Sequence, residues 1–227
     1  MTDSRRRSIA VAIPLVATLC MIAGAVDVIA YILFGRIFIA NMTGNTVLFA
    51  ASVVMRDWSE AALRLGVVFT FLAGIFVAEM VLRRLTAGRE RRRELITLVI
   101  EFVVLSWLAL LPHPDFLRTG LLLILAFSMG MQNNGFQRIG PIKLNTAFIT
   151  GDLEDLGEAV AESEKPEMRE EGRRKTAVFL TTWVAYAAGA LIGACGAFAL
   201  REKALWIPAG LTMAAAAMVM RSPAQPS

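Results

Sequence analysis

The sequence predicts an all-α polytopic membrane protein with six transmembrane helices, two half-entering broken segments and a 3+3 inverted repeat. Hydrophobic residues make up 56% of the 227 positions and charged residues 19%, whereas soluble domains are about 45–50% apolar and about 25% charged. The apolar residues are gathered into runs long enough to cross a hydrocarbon core of ~30 Å. This composition excludes an ordinary soluble enzyme, a disordered chain and a disulfide scaffold.

Six apolar runs are predicted to span the bilayer: residues 9–34, 61–82, 95–111, 117–136, 176–200 and 204–220. Three arginines precede the first run, but it is much longer than a signal-peptide core of about 7–15 residues. We therefore interpret it as a retained span. The prediction is one integral membrane domain over residues 1–227, with half one at about 9–111 and half two at about 117–220. Residues 1–8 and 221–227 are predicted to be cytoplasmic tails.

Two further segments, residues 37–55 and 144–162, each contain a Thr-Gly break followed by about a dozen helix-compatible residues. The second segment carries four carboxylates close together: Asp152, Glu154, Asp155 and Glu158. A charged residue near the bilayer centre costs ~2.5–3.5 kcal/mol on the insertion scale. The second segment is therefore predicted to enter without crossing or to lie at the surface, whereas the first could cross on hydropathy alone. The charged stretch from Glu158 to Arg174 is predicted to be a solvated cytoplasmic loop.

Basic residues decide between the topologies. If neither broken segment crosses, 17 Lys and Arg residues lie on the cytoplasmic side and 6 outside, out of 23. If both cross, the distribution becomes 12 and 11, and the arginine-rich loop at residues 83–93 faces outward. The positive-inside rule favours the first arrangement, with both termini cytoplasmic.

The two halves show weak internal similarity. Aligning Thr43-Gly44 with Thr150-Gly151 gives an offset of 107, at which Asp27 meets Asn134. Each half then reads as span, broken segment, span, span. Because three full spans is an odd number, the second half would be inverted, which is a recurrent transporter plan. The alternative is two unrelated Thr-Gly helix starts.

The Thr-Gly breaks predict a site. A helix that begins at Thr43, Gly44 and Asn45 would direct free N–H groups and a positive dipole end toward the midplane. Such backbone is tolerated at membrane depth only when it is buried in protein or faces a watery cavity. We interpret this break, with Thr150, Gly151 and Asp152 in half two, as a binding site for a small polar solute or ion. The alternative is a re-entrant cap that only closes the fold.

Other intramembrane polar residues extend the predicted site. Asp27 lies in the first span, where a carboxylate is a functional hypothesis by default, and Gln132, Asn133 and Asn134 end the fourth span. Asp27 and Glu101 are the candidates for proton coupling. The alternatives are that Asp27 caps the broken segment or pairs with a neighbouring helix, and that Glu101 makes a structural hydrogen bond to Thr97 or another helix.

Little in the sequence favours other chemistry. The single histidine, His113, lies in a short link, and Cys20 and Cys195 lie within apolar runs. No catalytic residue, metal site or cofactor is therefore predicted. The basic residues flank apolar runs, which favours membrane orientation over nucleic-acid binding.

Four motifs together resemble the YoaK family of bacterial inner-membrane proteins, a family defined as a domain of unknown function. They are Gly24-Ala25-Val26-Asp27, Asn41-Met42-Thr43-Gly44-Asn45-Thr46, Gly130-Met131-Gln132-Asn133 and Thr146-Ala147-Phe148-Ile149-Thr150-Gly151. The resemblance implies a six-span helical protein of the bacterial inner membrane and no established biochemical activity. This chain departs from the family at Asp152, where a hydroxyl or small residue is common.

The preferred functional hypothesis is a small transporter or channel for a small polar solute or ion. A membrane-embedded scaffold or accessory subunit is the alternative. A carboxylate-based membrane enzyme is the weakest hypothesis, because no nucleophile–base pair or metal cluster is visible. The expected partners are the lipid bilayer and a small solute, with a homodimer as a candidate assembly.

Overall fold

A computed structural model shows a helical membrane protein and describes residues 3–86, 89–110, 115–135, 138–139, 142–143 and 149–221. Side chains are described for residues 13–86, 89, 91–110, 119–134 and 151–221. Three helical stretches of this part of the chain are long and apolar enough to cross a membrane: Ile13–Leu33, Trp58–Leu85 and Arg169–Arg221. The last covers 53 residues and contains two helices.

Among the described residues, the first half contains three long helices and two shorter ones. Helices α1, α2 and α3 cover Asp3–Leu33, Met42–Val54 and Trp58–Val77. A π-helical turn, Ala78–Leu82, joins α3 to the short α4, Arg83–Leu85, and α5 covers Glu90–Leu110. Gly35 (φ 101°) and Arg36 (φ 57°) adopt left-handed backbone after α1. They turn the chain into the link that precedes α2.

The second half begins with α6, Asp115–Gly135. Two-residue strands β1, Arg138–Ile139, and β2, Ile142–Lys143, then pair antiparallel, with Ile139 opposite Ile142. This hairpin is a small departure from the all-α prediction. Three helical elements complete the chain: α7 (Ile149–Glu164), α8 (Arg169–Leu200) and, after the 3₁₀ turn Arg201–Leu205, α9 (Trp206–Arg221). Residues 144–148 of the second broken segment lie outside the described residues.

The stretch between Glu158 and Arg174 is mostly exposed, but the expectation that it forms a loop is wrong. Helix α7 continues to Glu164 and α8 already begins at Arg169. Lys175 of α8 donates to Glu162 of α7 at 2.8 Å, and Gly172 allows the α8 backbone to lie against Ser163. Glu, Lys and Arg have high helix propensity, and these contacts between the two helices hold the charged ends in helical form.

Helix α1 packs along α8, and α3 packs along α6. Helix α2 lies on α3, α7 lies on α8, and α5 and α9 contact each other. Both pairs of long helices meet at glycines. Between α1 and α8, a Cβ on Gly189 would overlap the Met21 backbone and one on Gly193 that of Ala25; between α3 and α6, a Cβ on Gly74 would overlap the Phe127 carbonyl. The Gly-xxx-Gly pattern of α8 therefore serves close packing within the fold, as expected of small residues in membrane helices.

Candidate functional site

Asp27 is buried in α1 and organises the first broken segment. Its Oδ1 accepts hydrogen bonds from the backbone N–H groups of Ile39 and Ala40, both at 2.6 Å, and of Asn41 at 3.4 Å. Its Oδ2 accepts a hydrogen bond from the Tyr186 hydroxyl of α8 at 2.6 Å. Asp27 therefore holds the link before α2 and also pairs with a neighbouring helix. These contacts are the structural alternatives that the sequence left open for it.

Asn45 fixes the same link from the other side. It is fully buried in α2; its Oδ1 accepts from the Phe38 N–H at 3.0 Å and its Nδ2 donates to the Phe38 carbonyl at 2.6 Å. Asp27 and Asn45 together satisfy backbone groups at residues 38–41 that no helix or strand satisfies. This is the condition under which irregular backbone is stable at membrane depth.

Helix α2 begins one residue earlier than expected. Its N-cap is Asn41, whose Oδ1 accepts from the Gly44 N–H at 3.0 Å, so Thr43 and Gly44 lie in the first turn. Thr43 is exposed. A Cβ on Gly44 would lie 2.8 Å from the Phe38 ring, so this glycine permits close packing beneath the link.

The second half gathers another group of buried polar residues. Gln132, Asn133 and Asn134 are all buried at the end of α6, and Asp152 is 1% exposed in the first turn of α7. Gly151 has open space where a Cβ would lie. The side chain of Thr150 lies outside the described residues. Glu154, Asp155 and Glu158 are exposed, so Asp152 alone of the four carboxylates enters the interior.

Two residues that the sequence analysis did not assign connect these groups. The Asp152 carboxylate interacts electrostatically with the Cys20 thiol of α1, and Cys20 lies in turn near Tyr186, which binds Asp27. Cys20 and Tyr186 therefore lie between the start of α7 and the first broken segment. Tyr186 is one of only two tyrosines in the chain and lies inside an apolar run, which is the only sequence signal for its role.

Glu101 lies apart from this group, fully buried in α5 where that helix meets α9. The expected hydrogen bond from Thr97 is not formed: the Thr97 hydroxyl donates to the Arg93 carbonyl at 3.0 Å. A threonine within a helix can reach the carbonyl four residues earlier, and this local bond takes its single hydrogen. Glu101 thus belongs to the contact of α5 with α9, whereas Asp27 belongs to the contact of α1 with α8.

Arg64 is a buried cation that the sequence analysis counted only as an outer-side charge. Its Nη1 donates to the Ser52 hydroxyl of α2 at 2.7 Å and pairs with Glu60 at 2.9 Å. Glu79, by contrast, forms an ion pair with Arg83, four residues later on the same helix face, and also lies 3.7 Å from Arg93. In the part of the chain that the structure describes, no three His, Cys, Asp or Glu side chains form a group that could hold a metal.

Helices of membrane-spanning length, with buried polar residues beside a helix break, define a helical membrane protein. The chain belongs to the family described as "Protein of unknown function (DUF1275)", whose model matches residues 15–218. It is 27% identical over 202 residues to the UPF0700 transmembrane protein YoaK of Bacillus subtilis (strain 168), covering 86% of this chain and 88% of that relative. No solved structure matches the chain. The predicted resemblance to the YoaK family is confirmed.

Proposed function

We propose that this protein is a small transporter or channel of the bacterial inner membrane, with six spans, two inverted halves and both termini cytoplasmic. It would bind a small polar solute or ion where the two broken segments approach the membrane interior. Six short spans leave little room for a wide pathway in one protomer, so a homodimer is the proposed assembly.

The exchange of helices between the halves carries this proposal. Helix α1, the first of half one, packs on α8, the third long helix of half two; α6, the first of half two, packs on α3 of half one. Helix α2 lies on α3 as α7 lies on α8, and α1 contacts α9 as α6 contacts α5. A two-fold operation that exchanges the halves would reproduce every one of these pairings.

The glycines at the two helix crossings support the same relationship. A Cβ on Gly24 of α1 would overlap the Tyr186 carbonyl of α8, and one on Gly130 of α6 would overlap the Phe71 carbonyl of α3. Equivalent residues of α1 and α6 are therefore 106 positions apart, and those of α3 and α8 are 115 positions apart. Gly189 against Met21 and Gly74 against Phe127 give the same two offsets. These contacts pair Asp27 with Asn133, one residue before the Asn134 predicted from sequence.

The broken segments also correspond. Helix α2 begins at Met42 and α7 at Ile149, 107 positions apart. This offset pairs the buried Asn45 with the buried Asp152, so each half carries one carboxyl and one amide, in exchanged positions. Inverted repeats with discontinuous helices place binding sites between the halves near the midplane, and this polar set is our candidate for such a site.

The test is a flux measurement on the full chain in proteoliposomes, using radiolabelled small cations, anions and zwitterionic amino acids as probes. We expect a protein-dependent flux for at least one probe, reduced at least tenfold by Asp152→Asn and by Asn133→Ala. Glu154→Gln, an exposed carboxylate in the same helical turn, is the matched control and should keep the flux. Folded variants that leave every wild-type flux unchanged would remove the basis of the proposal.

One observation favours the scaffold alternative. Asp27 and Asn45 hydrogen-bond to backbone groups of the link before α2, and Asp27 also to the Tyr186 hydroxyl, as expected for side chains that only close the fold. Under this alternative, the exposed arginines of residues 83–93 would contact a partner. Stoichiometric co-purification of a second membrane protein, lost on replacing Arg84 and Arg92 by Gln, would favour the scaffold over the transporter.

A further inference from the structure

Glu101 is the acidic side chain most completely isolated from water in the described structure. It is 0% exposed, and neither carboxyl oxygen has a hydrogen-bond donor among the described residues. It lies between α5 and α9, the last long helices of the two halves. A buried carboxylate without donors is very costly, whereas a neutral carboxylic acid needs only one acceptor.

The neighbouring hydroxyls offer such an acceptor but no donor. The Thr212 hydroxyl of α9 lies beside the Glu101 carboxyl and donates its hydrogen to the Pro208 carbonyl at 2.9 Å. The Thr97 hydroxyl is committed in the same way to Arg93. Because a hydroxyl has one hydrogen and two lone pairs, Thr212 presents lone pairs to Glu101. This arrangement suits a protonated Glu101 that donates to Thr212 Oγ1.

Among the described residues of the elements packed against α5, no charged side chain lies where it could stabilise an ionised Glu101. The described side chains of α6 contain no ionisable group, and α9 contains only Arg221 at its end. The charged residues of the 3₁₀ turn, Arg201, Glu202 and Lys203, are exposed. Glu79 in the π-helical turn pairs with Arg83 and Arg93, and Asp27 of α1, which contacts α9, is bonded to Tyr186.

Asp27 is a poorer proton carrier on the same criteria. Both of its oxygens already accept hydrogen bonds, three from backbone N–H groups and one from Tyr186. Protonation would displace one of these donors and loosen the link before α2. Asp27 is therefore a positioning residue, and the two sequence candidates for proton coupling separate into different roles.

We propose that Glu101 is held as a neutral carboxylic acid at the α5–α9 contact and exchanges its proton with water when α5 and α9 move apart. This inference rests on the proposed transport function, because inverted-repeat transporters alternate access by rocking one helix bundle against the other. The α5–α9 contact joins the bundle that contains α3 and α6 to the bundle that contains α1 and α8. The proton leaves to water on one side and is regained from the other. Solute movement would thereby be coupled to protons.

The test is infrared difference spectroscopy of the full chain in lipid, comparing the wild type with Glu101→Gln. We expect a carboxylic C=O band at pH 7 that is absent from Glu101→Gln, shifts after transfer to D₂O and disappears at alkaline pH. Thr212→Val should move the band of the same carboxyl, because it removes the hydrogen-bond acceptor. It provides an independent assignment if Glu101→Gln fails to fold.

Two results would overturn the proposal. A spectrum unchanged by either substitution would show that Glu101 does not carry a proton. A Glu101 band that does not shift in D₂O would show that the proton is permanently buried, hence structural. Both results concern one carboxyl and leave the flux test of the proposed function untouched, so the two proposals can fail separately.

Discussion

The Tyr186 hydroxyl donates a 2.6 Å hydrogen bond to Asp27 across 159 positions of sequence. It joins α8 of the second half to α1 of the first, directly beside the link that precedes α2. One helical turn before Asp27, the Gly24 backbone lies against the Tyr186 carbonyl. The close helix crossing and the polar contact therefore depend on each other, because α1 must approach α8 closely for the hydroxyl to reach the carboxylate.

We expect Tyr186→Phe to lower the free energy of unfolding by about 1–3 kcal/mol, because it leaves the buried Asp27 carboxylate without one of its donors. Tyr31→Phe is the matched control, since Tyr31 is 37% exposed and its ring still stacks on Phe38. Denaturant titration of the purified protein in detergent measures both variants. Equal stability of Tyr186→Phe and the wild type would show that the bond contributes little.

The helix crossings predict a second effect. Gly189→Ala places a Cβ against the Met21 backbone, and overpacking of this kind costs about 1–3 kcal/mol. Gly210→Ala in α9 is the control, because a Cβ at Gly210 meets nothing within 4 Å. Thermal unfolding of the two variants should separate them clearly. If both behaved alike, the close approach of α1 and α8 would be in doubt.

Asp57 gives a pH prediction outside the membrane-spanning segments. It caps α3, and the hydrogen bond from the Glu60 N–H, followed by that from the Ser59 hydroxyl, holds the pKa of its carboxyl below the usual value. The capping contribution is therefore complete above the unfolded pKa of about 3.9 and is lost as pH falls through the lower folded pKa.

Asp57→Asn should retain the cap and reduce the loss of stability on acidification below about pH 4. Asp57→Ala should lower the melting temperature at pH 7, where the wild-type carboxylate is charged. Melting curves across this range test both statements. If Asp57→Asn and the wild type lost the same stability on acidification, the loss would come from other carboxylates.

Single cysteines test the proposed topology in a background without Cys20 and Cys195. Trp58, Arg89 and Glu164 are exposed, whereas Thr86 is buried and makes a poor labelling site. With a membrane-impermeant thiol reagent on intact cells, we expect labelling at position 58 alone. Labelling at 89 but not at 58 would mean that residues 37–55 cross the membrane and that the halves are not inverted.

The sequence predicted the class of protein well because hydrophobic length is a local property. The predicted runs lie within α1, α3 with its π-helical turn, α5, α6, α8 and α9 to within a few residues. The Glu79–Arg83 pair was also predictable, since residues four apart share a helix face. The start of α2 was harder, because Asn41, Thr43 and Asn45 are all good N-caps, and only Asn41 bonds to the Gly44 N–H.

The sequence by itself thus determined that the chain is a helical membrane protein of the YoaK family with polar breaks at Thr-Gly motifs. The tertiary structure alone decided which polar residues meet. Tyr186 reaches Asp27 because α1 packs on α8, and Glu101 faces Thr212 because α5 meets α9. Such contacts join distant parts of the chain, and their partners are selected by helix packing, which no local pattern records.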